Sequence, residues 1–231
     1  MTTEVMQPCD SDNRIYLASP NTNYSTDTDL RIGESTSDVN LVARTLLKFN
    51  KLYNGTIPAN AIVTSAILSL YLWNDLATSA STVRVFRLKR AWNEAQSTWN
   101  SYSDGNNWAT PGGFHADDCE QTDIGSLALG AAEAAGWREW ELTPSAIQAI
   151  ISGSWANNGF LLKTDSELSD MYRYYSSEYA TDTTKQPKLT VIYTTPAGIP
   201  KVKSFNGVLM GNAKTVNGLA VASVKSVLGQ V

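Results

Sequence analysis

AILSLYLW, residues 66–73, decides the fold: Ala66, Leu68, Leu70 and Leu72 recur at every second position and so fall on one face of an extended strand. Working outward, the same period returns. LVARTLLKF (41–49) sets Leu41, Ala43, Leu47 and Phe49 on one face, and TVRVFRL (82–88) puts Val83 and Val85 in phase. NGFLLK (158–163), MYRYYS (171–176) and KLTVIY (188–193) follow, the last aligning Leu189, Val191 and Tyr193. Polar turn clusters separate these runs: SPNTNYSTDTD (19–29), YNGTIPAN (53–60) and SDGNNWATPGG (103–113). Many short alternating strands between turns predict an all-β, jelly-roll-like antiparallel β-sandwich. TPSAIQAIISG (143–153) breaks the period, with Thr143 as N-cap, Pro144 at the first helical position, Ile147, Ile150 and Ile151 on one stripe and Gly153 as the stop. One short helix is expected there, covering an open end of the sandwich.

With 231 residues, 42% of them apolar, the chain can bury a core without staples. Eighteen Lys and Arg against 22 Asp and Glu give a net charge of −4 without long runs, which excludes a basic footprint for nucleic acid or anionic lipid. No stretch reaches the length of a membrane span, and MTTEVMQPCDSDNR lacks the basic start and apolar run of a signal peptide. The expectation is assembly inside a host cytoplasm, with Cys9 and Cys119 reduced.

After Tyr193 the composition changes. TTPAGIP marks a linker at 194–200, separating a module over 1–193 from an arm over 201–231. In the arm the pentads KSFNG, KTVNG and KSVLG start at Lys203, Lys214 and Lys225, eleven residues apart. Two geometries compete. Eleven residues make three helical turns, which would align Val202, Phe205, Leu209, Ala213, Val216, Ala220, Val224, Val227 and Val231. Gly207, Gly211, Gly218 and Gly229 oppose this, at about 1 kcal/mol each. Asn206-Gly207 and Asn217-Gly218 instead suit two-residue hairpin turns, so the preferred form is an extended arm of short β-hairpins. Such a piece cannot bury its apolar face alone. Val202, Phe205, Val208, Leu209, Val216, Leu219, Val221, Val224, Val227 and Leu228 are therefore the candidate assembly residues.

The ordered set IYLASPNTNYSTDTDLRIGE, RTLLKFN, IPANAIVTSAILSLYLW, RAWNEAQSTWN, WELTPSAIQAIISG, NNGFLLKT, YYSSEYA and QPKLTVIY resembles the DNRLRE-type module, related to alginate-binding carbohydrate-binding modules, over residues 10–194. The resemblance implies a non-catalytic jelly-roll-like sandwich appended to polysaccharide enzymes, adhesins and structural proteins, without one agreed ligand. The arm resembles the NGV-type repeats at the ends of phage tail-fibre and other virion proteins.

Among side chains that could carry chemistry, Trp92, Glu94, Thr98 and Trp99 in WNEAQSTW read best as indoles packed under the sandwich edge, with Glu94 accepting backbone N–H groups. Trp108 lies in a loop sequence without alternation, so an exposed ring is expected to stack on a pyranose, with Asp104, Asn106 and Asn107 bonding hydroxyls. His115, Asp117 and Asp118, like Asp27 and Asp29, suit either solvated turns or a cation, and of cations calcium is the one such loops bind; one histidine cannot fill a zinc site alone. No metal or other cofactor is assigned. RYYSSEY, with Arg173, Tyr174, Tyr175 and Glu178, could suit a lyase with a tyrosine base, but the resemblance makes these strand residues. Neither G-x-S-x-G, H-E-x-x-H nor a phosphate-cradling glycine loop is present, and no enzyme is expected.

These readings predict a virion structural protein of decoration or fibre type. Its sandwich faces solvent and offers a polysaccharide site, and its arm joins copies of itself, a trimer being one arrangement, or other virion proteins. The alternative is a secreted carbohydrate-binding module of a polysaccharide-degrading system.

Overall fold

The computed structural model describes residues 1–35 and 41–196 and the backbone of four two-residue strands between 204 and 220. The chain divides into two compact units, Met1–Thr195 and Pro196–Val231.

The hub of the first unit is β5, Ile62–Asp75, fourteen residues long. Ala66, Leu68, Leu70 and Leu72 are all buried, as their spacing requires. One side of β5 pairs with β10, Gly136–Leu142. Its other side is shared by β13, Lys188–Thr194, along the first half and β12, Tyr172–Tyr175, along the second. β1, Thr2–Met6, runs antiparallel along the far side of β13 and forms the rim of this sheet. β3, Asp29–Glu34, lies beside β12 and then meets β4, Val42–Lys48, through Gly33 and Glu34. At that step the sheet folds over. The second layer consists of β4 with β2, Ser11–Tyr16, on one side and, on the other, β11, Phe160–Thr164, then β6, Ser81–Arg87, and β9, Gly125–Leu129. Every pairing is antiparallel, as expected for the all-β sandwich.

Leu68, Leu70, Leu72, Trp140, Tyr172 and Tyr174 of the first sheet meet Leu47, Val83, Val85, Phe160 and Leu162 of the second in one apolar core. The Trp140 indole N–H donates to the Val83 carbonyl at 3.0 Å, so the largest core side chain also spans the layers by a hydrogen bond. The helix, α1, runs over Pro144–Ile151 and buries Ala146, Ile147, Ile150 and Ile151. Thr143 stands at its N-cap, but its hydroxyl donates to the Ile124 carbonyl rather than capping a helical N–H. Gln148 accepts the Val63 N–H at 2.8 Å and ties α1 to the start of β5.

The second sheet departs from simple alternation. Ile15, Leu46, Phe86, Leu88 and Leu161 point away from the main core, yet they are buried under Trp92, Trp99, Trp108 and Cys119 in a second apolar cluster. The segment between β6 and β9 forms this cover. It approaches so closely that a Cβ on Gly112, whose φ is +86°, would stand 2.6 Å from Arg44 Nη1 and 2.8 Å from the Trp99 ring. Only glycine fits there. Both cysteines are buried and free.

In the second unit, β14, Ser204–Phe205, pairs antiparallel with β15, Val208–Leu209, and β16, Thr215–Val216, with β17, Leu219–Ala220. Phe205 faces Val208 across Asn206-Gly207, and Val216 faces Leu219 across Asn217-Gly218. These are hairpin registers, the strand form of the two geometries. The candidate assembly residues Val202, Val221, Val224, Val227 and Leu228, and the third pentad, lie outside the described residues; of Phe205, Val208, Leu209, Val216 and Leu219 the backbone alone is described.

Truncating the buried hub should be costly. Leu70→Ala is expected to lower unfolding stability by about 2–5 kcal/mol, through lost transfer energy plus the cavity left behind. Urea unfolding followed by tryptophan fluorescence measures it, and a loss under about 1 kcal/mol, the range of surface changes, would show that β5 is not the hub.

Candidate functional site: the open face of the first sheet

The outer face of the second sheet is covered, and the outer face of the first is open to solvent between its side chains. The period of two that buries the leucines of β5 turns Tyr71 and Trp73 to this open face. In β10 burial of Trp140 and Leu142 turns Trp137 outward, and in β12 burial of Tyr172 and Tyr174 turns Arg173 and Tyr175 outward. Lys188 stands out at the start of β13 because Leu189, Val191 and Tyr193 point in.

These side chains form one row. Trp137 is Cα partner to Tyr71, and their rings meet edge to face with centroids 5.5 Å apart. Tyr175 stacks beside Tyr71 and beside Trp73, each at 5.9 Å, and Tyr179 lies flat on Tyr175 at 3.6 Å with 9° between planes. Cations sit over the rings: Arg173 over Trp73 at 4.3 Å, Lys185 over Tyr71 at 4.9 Å and Lys188 over Trp137 at 4.4 Å. Between Lys188 and Glu139 stands Ser69, whose small side chain leaves the lysine room to reach the indole. Lys185 also pairs with Asp182 at 3.2 Å, and Arg173 with Asp29 at 2.9 Å. Among the described residues, Lys188 forms no ion pair with a carboxylate. A shallow depression of about 540 Å³ borders the row at Trp137, between Leu127 and Glu139.

The Tyr175 phenol is a poor base. A hydrogen bond to Tyr179, followed by burial, pushes Tyr175 up to about 12. Burial pushes the Tyr174 phenol well above its ordinary value, and its ring packs on Trp140 in the core. Of RYYSSEY, Arg173, Tyr174 and Tyr175 are strand residues as expected, while Glu178 lies in the turn that follows.

At the end of the row Asp29 is gripped by Arg14 at 2.7 Å, Arg31 at 2.8 Å and Arg173. Burial opposes its ionisation, but the hydrogen bonds and charges of Arg31, Arg14 and Arg173 outweigh burial and hold its carboxyl below the usual range. Asp27 pairs with Arg14 at 2.5 Å. Arginines thus occupy the carboxylates of both Asp27 and Asp29. Asp118 is likewise taken, by Arg90 at 3.0 Å and the Ala109 N–H at 2.7 Å, while His115 Nδ1 accepts the Asp117 N–H at 3.2 Å. Among the described residues no cluster of three or more His, Cys, Asp or Glu is arranged to hold a metal ion.

The exposed ring expected at Trp108 is not found. Trp108 is 4% exposed, and its indole N–H donates to the Thr98 carbonyl at 3.0 Å inside the cover of the second sheet. SDGNNWATPGG is in part a hairpin, β7 Ser101–Ser103 with β8 Asn106–Asn107. Asp104, Asn106 and Asn107 are exposed at its tip, with Asn106 donating to the Asp104 carbonyl at 2.8 Å. The hairpin turns its polar tip out because its tryptophan is needed beneath. Trp92 and Trp99 are buried as read, with the Trp92 N–H on the Asn158 carbonyl at 2.9 Å, and Glu94 accepts the Asp12 N–H at 2.8 Å.

An antiparallel sandwich with one face sealed by its own loop and the other carrying an aromatic and cationic row defines a β-sandwich module with two unlike faces. Residues 12–191 match the disaggregatase related repeat domain, and the chain belongs to that family. The match identifies this repeat family rather than the DNRLRE-type or NGV-type groups specifically. No curated protein matches the chain.

The two sets of aromatic residues should respond differently to truncation. Trp108→Ala is expected to cost about 3–5 kcal/mol as a core deletion. Tyr179→Ala removes one stacked pair and should cost about 0.5–1.5 kcal/mol. Chemical denaturation of the two variants measures both, and equal losses would contradict the division into sealed and open faces.

Proposed function

We propose that this protein is a non-catalytic recognition and attachment module whose open sheet face binds an acidic polysaccharide. The observation that carries the proposal is the row Trp137, Tyr71, Tyr175 and Tyr179 with Lys188, Lys185 and Arg173 set over its rings. An open row of this kind suits an extended polymer better than a small enclosed ligand. Cations lie over its rings, and Lys188 supplies a positive charge for a carboxylate or sulfate. The resemblance to alginate-binding modules supports the same ligand class.

The second unit supplies attachment. Its Asn-Gly hairpins have the form of the segments resembling virion fibre ends, and each is too small to bury its apolar side chains alone. In this reading the arm joins copies of the chain, as a trimer or another closed oligomer, and seats them among virion proteins. Membership of a family named for its relation to a disaggregatase favours a second reading, in which the same sandwich serves a polysaccharide-degrading system.

Affinity electrophoresis in gels carrying alginate or a neutral glucan tests the ligand. The wild type is expected to be retarded by alginate alone, with Lys188→Ala weakening retention about tenfold, the loss of one charge-assisted contact of roughly 1.4 kcal/mol. Release of unsaturated or reducing ends would replace the binder with an enzyme. Sedimentation separates the readings of the arm: the full chain is expected to run as an oligomer and a chain ending at Thr195 as a monomer, and equal masses would remove self-association.

A further inference from the structure

Beneath the turn that carries Tyr179 lies a group of acids that the recognition face does not use. Asp12, 1% exposed, accepts the Ser177 N–H at 2.7 Å and the Cys9 thiol at 3.1 Å on the same oxygen. Glu178 accepts the Ser177 hydroxyl at 2.9 Å through Oε1, and its Oε2 is buried without a partner. One residue, Ser177, thus stands between two carboxyl groups. Glu94 reaches in from the segment after β6 to the Asp12 N–H. Across from it, the Gln186 amide N–H group donates to the Ser177 carbonyl at 2.6 Å. Among the described residues, no Lys, Arg or His forms an ion pair with Asp12, Glu94 or Glu178.

With Asp12 buried, Glu178 half-buried with its Oε2 unpartnered, and no cation paired to either, the two cannot both ionise cheaply, so one proton is held between them. We propose that Asp12 and Glu178 form a proton-operated latch that holds the 176–179 turn, and with it the Tyr179 ring, against the open face. Burial, followed by the charge of Glu178, pushes Asp12 up to about 7. Burial followed by the charge of Asp12 keeps the Cys9 thiol protonated, and burial also raises Glu94. The sign follows from Asp12. A carboxyl whose folded value is raised contributes stability that is complete below about pH 4 and is lost as pH rises through about 7. Above neutrality the pair carries two charges, the turn loosens, and Tyr179 leaves Tyr175. The effect on glycan capture rests on the proposed function of the face, whereas the latch does not.

Hydrogen exchange of the full chain without ligand tests the latch by itself. Between about pH 5.5 and 8.5 the protection factor of the Ser177 amide, corrected for the intrinsic rate, should fall at least about tenfold in the wild type. In Glu178→Gln, which removes the second charge at equal size, it should change by less than about threefold, while β5 amides stay protected in both. Constant protection in the wild type, or an equal fall in the variant, would overturn the proposal. The carboxyl carbon shift of Asp12 in the wild type gives a second reading independent of any variant: a midpoint near neutrality is expected, and one below about pH 5 sinks the latch.

Discussion

The whole sandwich depends on one constraint, the period of two that β5 keeps from Ala66 to Trp73. Because side chains in a strand point alternately up and down, the choice that puts Leu68, Leu70 and Leu72 into the core also fixes Ser69, Tyr71 and Trp73 on the other side. β5 also hydrogen-bonds with three other strands, β10, β12 and β13, as β4 does with β2, β3 and β11. A slip of one residue would therefore exchange the faces of half the molecule. It would turn Ser69, Tyr71 and Trp73 toward the core and expose a row of leucines to water, at about 25 cal/mol for each Å² of apolar surface.

The two sheets answer the same problem in opposite ways. A sheet in a two-layer sandwich has an outer face that must be either polar or covered. The second sheet presents Leu46, Phe86 and Leu161 outward and is covered by a segment rich in tryptophan. The first sheet has no such cover, and its outward aromatic rings are shielded instead by each other and by the stems of Lys185, Lys188 and Arg173. Aromatic residues that would be an aggregation hazard on a bare sheet are tolerable here because cations lie across them.

Much of the architecture was legible in the sequence, because it is written in periodicity. The alternation at 66–72 and 189–193, the helix at 144–151 with its proline and glycine, and the Asn-Gly hairpins all follow from local rules. The site was not legible in the same way. Trp108 looked free because no alternation surrounded it, yet its fate was decided by Leu161 and Phe86, residues of distant strands that needed a cover. The reverse error hid Tyr71, Trp73 and Trp137. They sit on the face of each amphipathic strand that a core-seeking reading discards, and a signal was there: aromatic residues where polar ones belong. The grouping of Asp12 with Glu178 joins residues 166 positions apart and has no local signature.

The strand β1 has a consequence of another kind. The family match covers residues 12–191, beginning after β1 and ending within β13, the strand along which β1 lies. Without it the backbone donors and acceptors along that side of β13 would face solvent as an unpaired template, open to zipper-like growth with any passing strand. With it, the rim presented is a short one bearing Glu4 and two threonines. The module thereby carries its own selvedge, a short border strand laid along β13.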